Sequence, residues 1–171
     1  TLLSLIVGLI NPSKGQLKID EQSLNYKNIN DWQSKISFVP QETIIIDGSI
    51  SDNIALILNK KIDKNKLIHA LKLTKLEKFV SHIDDAEIIG ERGVKISGGE
   101  KQRIGLARAV YDDKSIIVLD EPFSALDKKT AETILSNIKG LKKFTIIIVT
   151  HNKFVVPFCD NVITLNNGQL Q

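Results

Sequence analysis

The run at 115–119 is apolar at every position after its first residue and stops abruptly at Asp120 and Glu121. A strand with one wet face alternates between apolar and polar residues. A strand that is apolar throughout is covered on both faces, as in parallel sheets sandwiched between helices. The run at 144–149 is a second of this kind, rich in β-branched residues. Segments with helical spacing lie around these runs. Leu67, Ile68 and Leu71, then Leu76, Phe79 and Val80, fall at i, i+3 and i+4 intervals. Strands alternating with helices imply βαβ crossovers. The expected class is therefore α/β, a mainly parallel sheet flanked by helices.

Along the chain, a helix is expected over 1–10, stopped by Asn11 and Pro12, and short strands at 16–19 and at 35–39, the latter ending on Pro40. Helices come next over 51–58, 64–73 and 75–81, then one opening at Ser97 and running to about Tyr111, and one over 126–138. A third apolar strand is expected at 162–165, before the turn Asn166, Asn167, Gly168. The stretch at about 42–95 is mainly helical and interrupts the alternation, so it reads as an inserted helical subdomain. With 171 residues there is enough chain for one domain. The chain begins on Thr1, inside a helical pattern, and holds no Met, so a fragment of a longer protein is expected.

Two features carry chemistry. Asp120 and Glu121 lie at the C-terminal end of a buried strand, the edge where open α/β sheets bind ligands. One acid can hold Mg²⁺, which takes oxygen ligands and keeps several waters, and the other can polarise an attacking water. Solvated acids before a helix are the plain structural alternative. The second feature is Ser97, Gly98, Gly99, Glu100. Ser97 with Glu100 three residues on forms a capping box. The two glycines weaken the first turn, but leave bare N–H groups that a phosphate can approach. A plain helix cap is again the alternative.

Taken in order, these residues resemble the ABC ATPase family. The stretch 96–102 is similar to its signature motif LSGGQ, with Ile96 for Leu and Glu100 for Gln. Residues 116–121 resemble the Walker B strand with its catalytic glutamate. Ser124, Ala125, Leu126 and Asp127 are identical to the usual D-loop, Gln41 matches the Q-loop glutamine, and His151 matches the switch histidine. The resemblance covers about 36–152. Thr1, Leu2 and Leu3 resemble the residues after Lys-Ser in GxxGxGKST, which would put the Walker A loop and the N-terminal strands upstream of this chain. The segment Gly90, Glu91, Arg92, Gly93 and the stretch 47–54 look exporter-like, as does Trp32. The nearest likeness is to flippases of lipid-linked oligosaccharides and related multidrug or lipid exporters.

The resemblance implies a P-loop NTPase-like ATPase domain, with ATP and Mg²⁺ bound, that powers export through a transmembrane domain presumed upstream. It implies catalytic roles for Glu121 and His151, nucleotide contacts from Thr1, Gln41, Ser97, Gly98, Gly99, Glu100 and Asp127, and metal contacts from Gln41 and Asp120. The implied partners are a second ABC ATPase domain, in a homo- or heterodimer, and the coupling helices of the membrane domain, met by Gln41 and the Glu91–Arg92 region. The implied location is the cytoplasmic face of the inner membrane. The alternatives are a soluble ABC ATPase, a separate importer ATPase subunit, and a regulatory nucleotide-binding module. The fragment alone is expected to bind ATP poorly and to be inactive.

Composition excludes more than it suggests. A net charge of +3, from 23 basic and 20 acidic residues without a basic block, gives no footprint for nucleic acid. One cysteine, Cys159, forms no internal disulfide framework and is expected to pack rather than react. Trp32 reads as a partly buried packing residue, and His69 and His82 as surface residues. No apolar run approaches the roughly 20 residues that span a bilayer.

Overall fold

The structure, a computed structural model, describes residues 1–56, 62–83, 89 and 96–171. In chain order the elements are α1 (Leu2–Ile6), β1 (Lys18–Ile19), β2 (Gln22–Ser23), α2 (Ile29–Ser34), β3 (Ile36–Val39), α3 (Ile50–Ala55) and α4 (Lys64–Leu73). A 3-10 turn at Glu77–His82 comes next, then α5 (Gly98–Asp112), β4 (Ile116–Asp120), α6 (Lys128–Gly140) and β5 (Thr145–Val149). A second 3-10 turn spans Lys153–Phe158, before β6 (Leu165–Asn166) and β7 (Gln169–Leu170).

The centre is a parallel sheet in the order β3-β4-β5. Its middle strand β4 is covered on both faces, as its unbroken apolar run requires. Ile117 and Leu119 enter the large core with α3, α4, α5 and α6. Val118 joins Leu3, Val7 and Ile36 on the opposite face, beneath α1. Strand β5 forms one edge of this sheet, and its end residues Thr145 and Val149 are exposed. No helix among the described residues is long and apolar enough to cross a membrane.

Several elements differ from the sequence reading, four of them in ways that change the fold. The first helix stops at Ile6 because Gly8 turns left-handed, with φ 71°. The strand expected over 16–19 shortens to Lys18–Ile19, paired with β2. The stretch 75–81 forms a 3-10 turn rather than an α-helix. The apolar run 162–165 is not a third buried strand: Val162 and Ile163 are exposed, and only Leu165 pairs, with Leu170. Its own turn captures it, since Asn167 and Gly168 both have positive φ, at 50° and 79°, and close a two-residue hairpin. Helix α2 had no counterpart in the sequence reading. It ties Trp32 Nε1 to the Ile6 carbonyl at 2.7 Å and Gln33 Nε2 to the Val7 and Gly8 carbonyls at 3.2 Å each, capping the end of α1.

Candidate active site

All three sheet strands end on the same edge. Val39 pairs with Leu119, and Asp120 with Val149. Gln41, Asp120, Glu121 and His151 therefore succeed one another across adjacent strand ends. Glu121 is the first residue past β4 and adopts φ 45°, an uncommon value for a side-chain-bearing residue. Its N–H still bonds the Val149 carbonyl at 2.9 Å. The backbone thus leaves the sheet at Glu121 while the residue stays anchored to it.

The Glu121 carboxylate is held at both oxygens. Oε2 accepts the Thr150 hydroxyl at 3.0 Å. Oε1 accepts the His151 N–H at 3.1 Å and lies 2.9 Å from His151 Nδ1. The carboxylate side chain is 17% exposed and the imidazole 78%. A recessed acid therefore sits behind an accessible histidine at the sheet edge, with its orientation fixed by two residues of the next strand end. Two hydrogen-bonded oxygens keep spare lone pairs, so the carboxylate can still accept a proton from water.

Asp120 and Gln41 share this edge by register only, and Gln41 is exposed just beyond Pro40. Among the described residues no three His, Cys, Asp or Glu side chains gather into a metal centre. The donor set fits Mg²⁺ better than a protein-caged ion. One carboxylate and one amide oxygen leave room for phosphate and water ligands.

The second group stands at the N-terminus of α5. Ser97 caps the helix, and the capping box is complete. The Ser97 N–H and hydroxyl each donate to Glu100 Oε2 at 2.8 Å, and the Glu100 N–H donates to Ser97 Oγ at 3.3 Å. Glu100 is buried, and its other oxygen meets Lys78 Nζ of the first 3-10 turn. Burial raises the Glu100 pKa. The Lys78 ammonium and the Ser97 N–H and hydroxyl outweigh it and hold the group at about 2. Gly99 lies flat against the D-loop stretch, where an added Cβ would come within 3.0 Å of the Ala125 carbonyl oxygen. Ser97 and Gly98 are exposed.

Gln102 joins the two groups. Its Nε2 donates to Ser124 Oγ at 2.6 Å and to the Glu121 carbonyl at 3.3 Å, while its Oε1 accepts the Ala125 N–H at 2.9 Å. One amide thus fixes the turn from Glu121 to Ala125 on helix α5. The sequence reading missed Gln102, although a polar residue on the same helix face as Leu106 was a signal. Thr150, directly before His151, was also missed.

Asp127 is exposed and caps α6, accepting the Thr130 N–H at 2.9 Å. Thr130 holds its carboxyl below the usual range. Thr1 is the exposed N-cap of α1 and makes no side-chain capping bond. No hydrogen bond or ion pair among the described residues joins Ser97, Gly98 or Gly99 to Glu121 or His151. The Glu91–Arg92 pair lies outside the described residues, as does the side chain of His82. His69 is exposed and Cys159 half-buried against the core, its Sγ 3.5 Å from the Val155 carbonyl.

Comparison with known proteins identifies the family. The family model for the ABC transporter matches residues 1–124. The toxin RTX-I translocation ATP-binding protein of Actinobacillus pleuropneumoniae is 34% identical over 99% of this chain, which spans 24% of that protein. The alpha-hemolysin translocation ATP-binding protein HlyB of Proteus vulgaris is 35% identical over 99% of the chain, again 24% of its own length. The structure of a bacterial Atm1-family ABC exporter with ATP bound superposes with a TM-score of 0.86 at 27% identity, covering 99% of this chain and 30% of that one. The chain thus spans about a quarter of the length of these curated relatives. A parallel sheet ending in Asp120 and Glu121, a glycine-rich helix start and these matches together place the chain in the ABC transporter family.

Proposed function

We propose that this chain is the greater part of a motor domain that binds and hydrolyses ATP with Mg²⁺ to drive export across a membrane. The observation that carries the reading is the Glu121 carboxylate, fixed between Thr150 and His151 at the end of β4. In hydrolysis a water oxygen forms a bond to the γ-phosphorus, and the bond from that phosphorus to the bridging oxygen breaks, releasing ADP and phosphate. Glu121 orients the water and accepts its proton. His151, exposed beside it, contacts the γ-phosphate. Asp120 and Gln41 would hold Mg²⁺, which would supply charge neutralisation to the phosphate oxygens.

The site is completed from outside the chain. Gly98 and Gly99 bring backbone N–H groups to the first turn of α5, and among the described residues this turn makes no bond to Glu121 or His151, which suits capping of ATP held by a second such domain. Asp127 stands exposed at that contact, and Glu100, which is buried, acts through the Ser97 cap. The lysine-bearing phosphate loop is expected from polypeptide preceding Thr1, with Thr1 at its end. The membrane domain, met through Gln41 and the Glu91–Arg92 region, belongs to the same transporter, with this domain on the cytoplasmic face. The translocation and export proteins among the relatives favour an exporter over an importer subunit.

Phosphate release from ATP by the complete polypeptide tests the reading. Hydrolysis that stops when Mg²⁺ is chelated is expected. A complete, folded polypeptide that releases no phosphate would overturn it.

A further inference from the structure

A phosphate brought to the start of α5 meets favourable backbone N–H groups at Gly98 and Gly99. It also meets the carboxylate of Glu100, one turn into the helix. That acid is ionised, held at about 2, and a bare negative charge there opposes a triphosphate. Both its oxygens are engaged, but by different kinds of group. Oε2 is taken by the neutral N–H and hydroxyl of Ser97. Oε1 is taken by Lys78, the cation that the structure pairs with this carboxylate. Lys78 does not belong to α5. It comes from the 3-10 turn Glu77–His82, and its Nζ also lies 4.9 Å from the ring centroid of buried Phe79. The carboxylate side chain is 10% exposed and that of Lys78 is 62% exposed, so the positive member faces outward.

We propose that Lys78 is a positioning residue of the phosphate-capping turn, its ammonium neutralising the Glu100 carboxylate so that the first turn of α5 accepts the terminal phosphate of a nucleoside triphosphate. This rests on the reading that Ser97, Gly98 and Gly99 meet the γ-phosphate. The Ser97–Glu100 box keeps the glycine-bearing first turn helical, and Lys78 removes the electrostatic penalty that the box would otherwise bring to the same spot. Lys78 acts through Glu100, so its effect depends on the charge of Glu100.

A double-mutant cycle in the complete polypeptide tests this, read as the ATP dependence of phosphate release. Lys78→Ala should raise KM for ATP by about tenfold with kcat changed by less than about threefold. In a Glu100→Gln background the same substitution should change KM by less than about twofold, since no charge remains to neutralise. Lys78→Arg, which keeps the cation, should stay within about threefold of wild type, and Lys78→Gln replaces Lys78→Ala in the cycle if the latter does not fold. A KM for Lys78→Ala equal to wild type overturns the proposal, and so does an undiminished defect in the Glu100→Gln background. A wild-type protein that neither binds nor hydrolyses ATP overturns this inference and the ATPase reading together, whereas an active wild type with an inert Lys78→Ala overturns this inference alone.

Discussion

At Glu100 a single buried carboxylate closes a helix cap and pairs with a lysine from another element. Its folded pKa of about 2 lies below the unfolded value of 4.5, so it adds stability above 4.5 that is lost as pH falls through the window down to about 2. Glu100→Gln should therefore cost roughly 1–3 kcal/mol in urea denaturation of the domain at pH 7, with the gap closing towards pH 2. A gap of the same size at both pH values would show that shape rather than charge matters at this position. Gln102 is a second residue whose effect exceeds its size, because one amide spans the Glu121 carbonyl, Ser124 and Ala125. Gln102→Ala should lower kcat for ATP by roughly tenfold with little change in KM, by loosening the turn that carries Glu121. An unchanged kcat would argue that Glu121 is held by Thr150 and His151 alone. The Ser97–Glu100 box and the Asp120–Glu121 strand end stood out in the sequence because their patterns are local, whereas Gln41, Asp127 and His151 came from the family resemblance alone. Gln102, Thr150 and Lys78 did not stand out, because what they touch lies 19 to 29 positions away, as with Gln102 to Glu121 and Thr150 to Glu121.

Helix α5 organises the elements. Its first turn is the proposed phosphate-capping end, and its middle crosses the segment after β3. Gly105 makes that crossing possible. A Cβ there would lie 2.4 Å from Thr43 Oγ1 and 3.2 Å from Val39 Cγ1. Thr43 Oγ1 is itself buried without a hydrogen-bond partner among the described residues. Gly105→Ala should cost about 1–3 kcal/mol of stability by overpacking. Thr43→Val removes an unsatisfied hydroxyl and should cost less than about 1 kcal/mol in thermal or urea unfolding. Lower down, Arg108 Nε donates to the Asn53 carbonyl at 2.6 Å, and fully buried Asn53 bonds both the N–H and the C=O of Ile46. The stretch after Gln41 is thereby tied to α3 and α5. Periodicity found α4, α5 and α6 because their apolar stripes are long. It missed α2, which is six residues long with no buried residue. It overextended α1 and misread 162–165, where a left-handed glycine and a tight turn overrule apolar content.

For the whole molecule, the sequence carried the parallel sheet because β4 is apolar on both faces, and a strand like that has few other places to go. Strand order, register and the convergence of Gln41, Asp120, Glu121 and His151 on one edge needed coordinates, since they depend on non-local pairing. On the proposed function, that edge and the α5 turn would each be half of a site, with ATP joining two such domains and its hydrolysis releasing them. The most direct measurement is single-turnover hydrolysis alongside equilibrium ATP binding for Glu121→Gln in the complete polypeptide. The expected result is hydrolysis slowed by at least about a hundredfold, the scale of a lost general base, with ATP binding retained. Hydrolysis at the wild-type rate would contradict the assignment of the β4 edge as the catalytic centre.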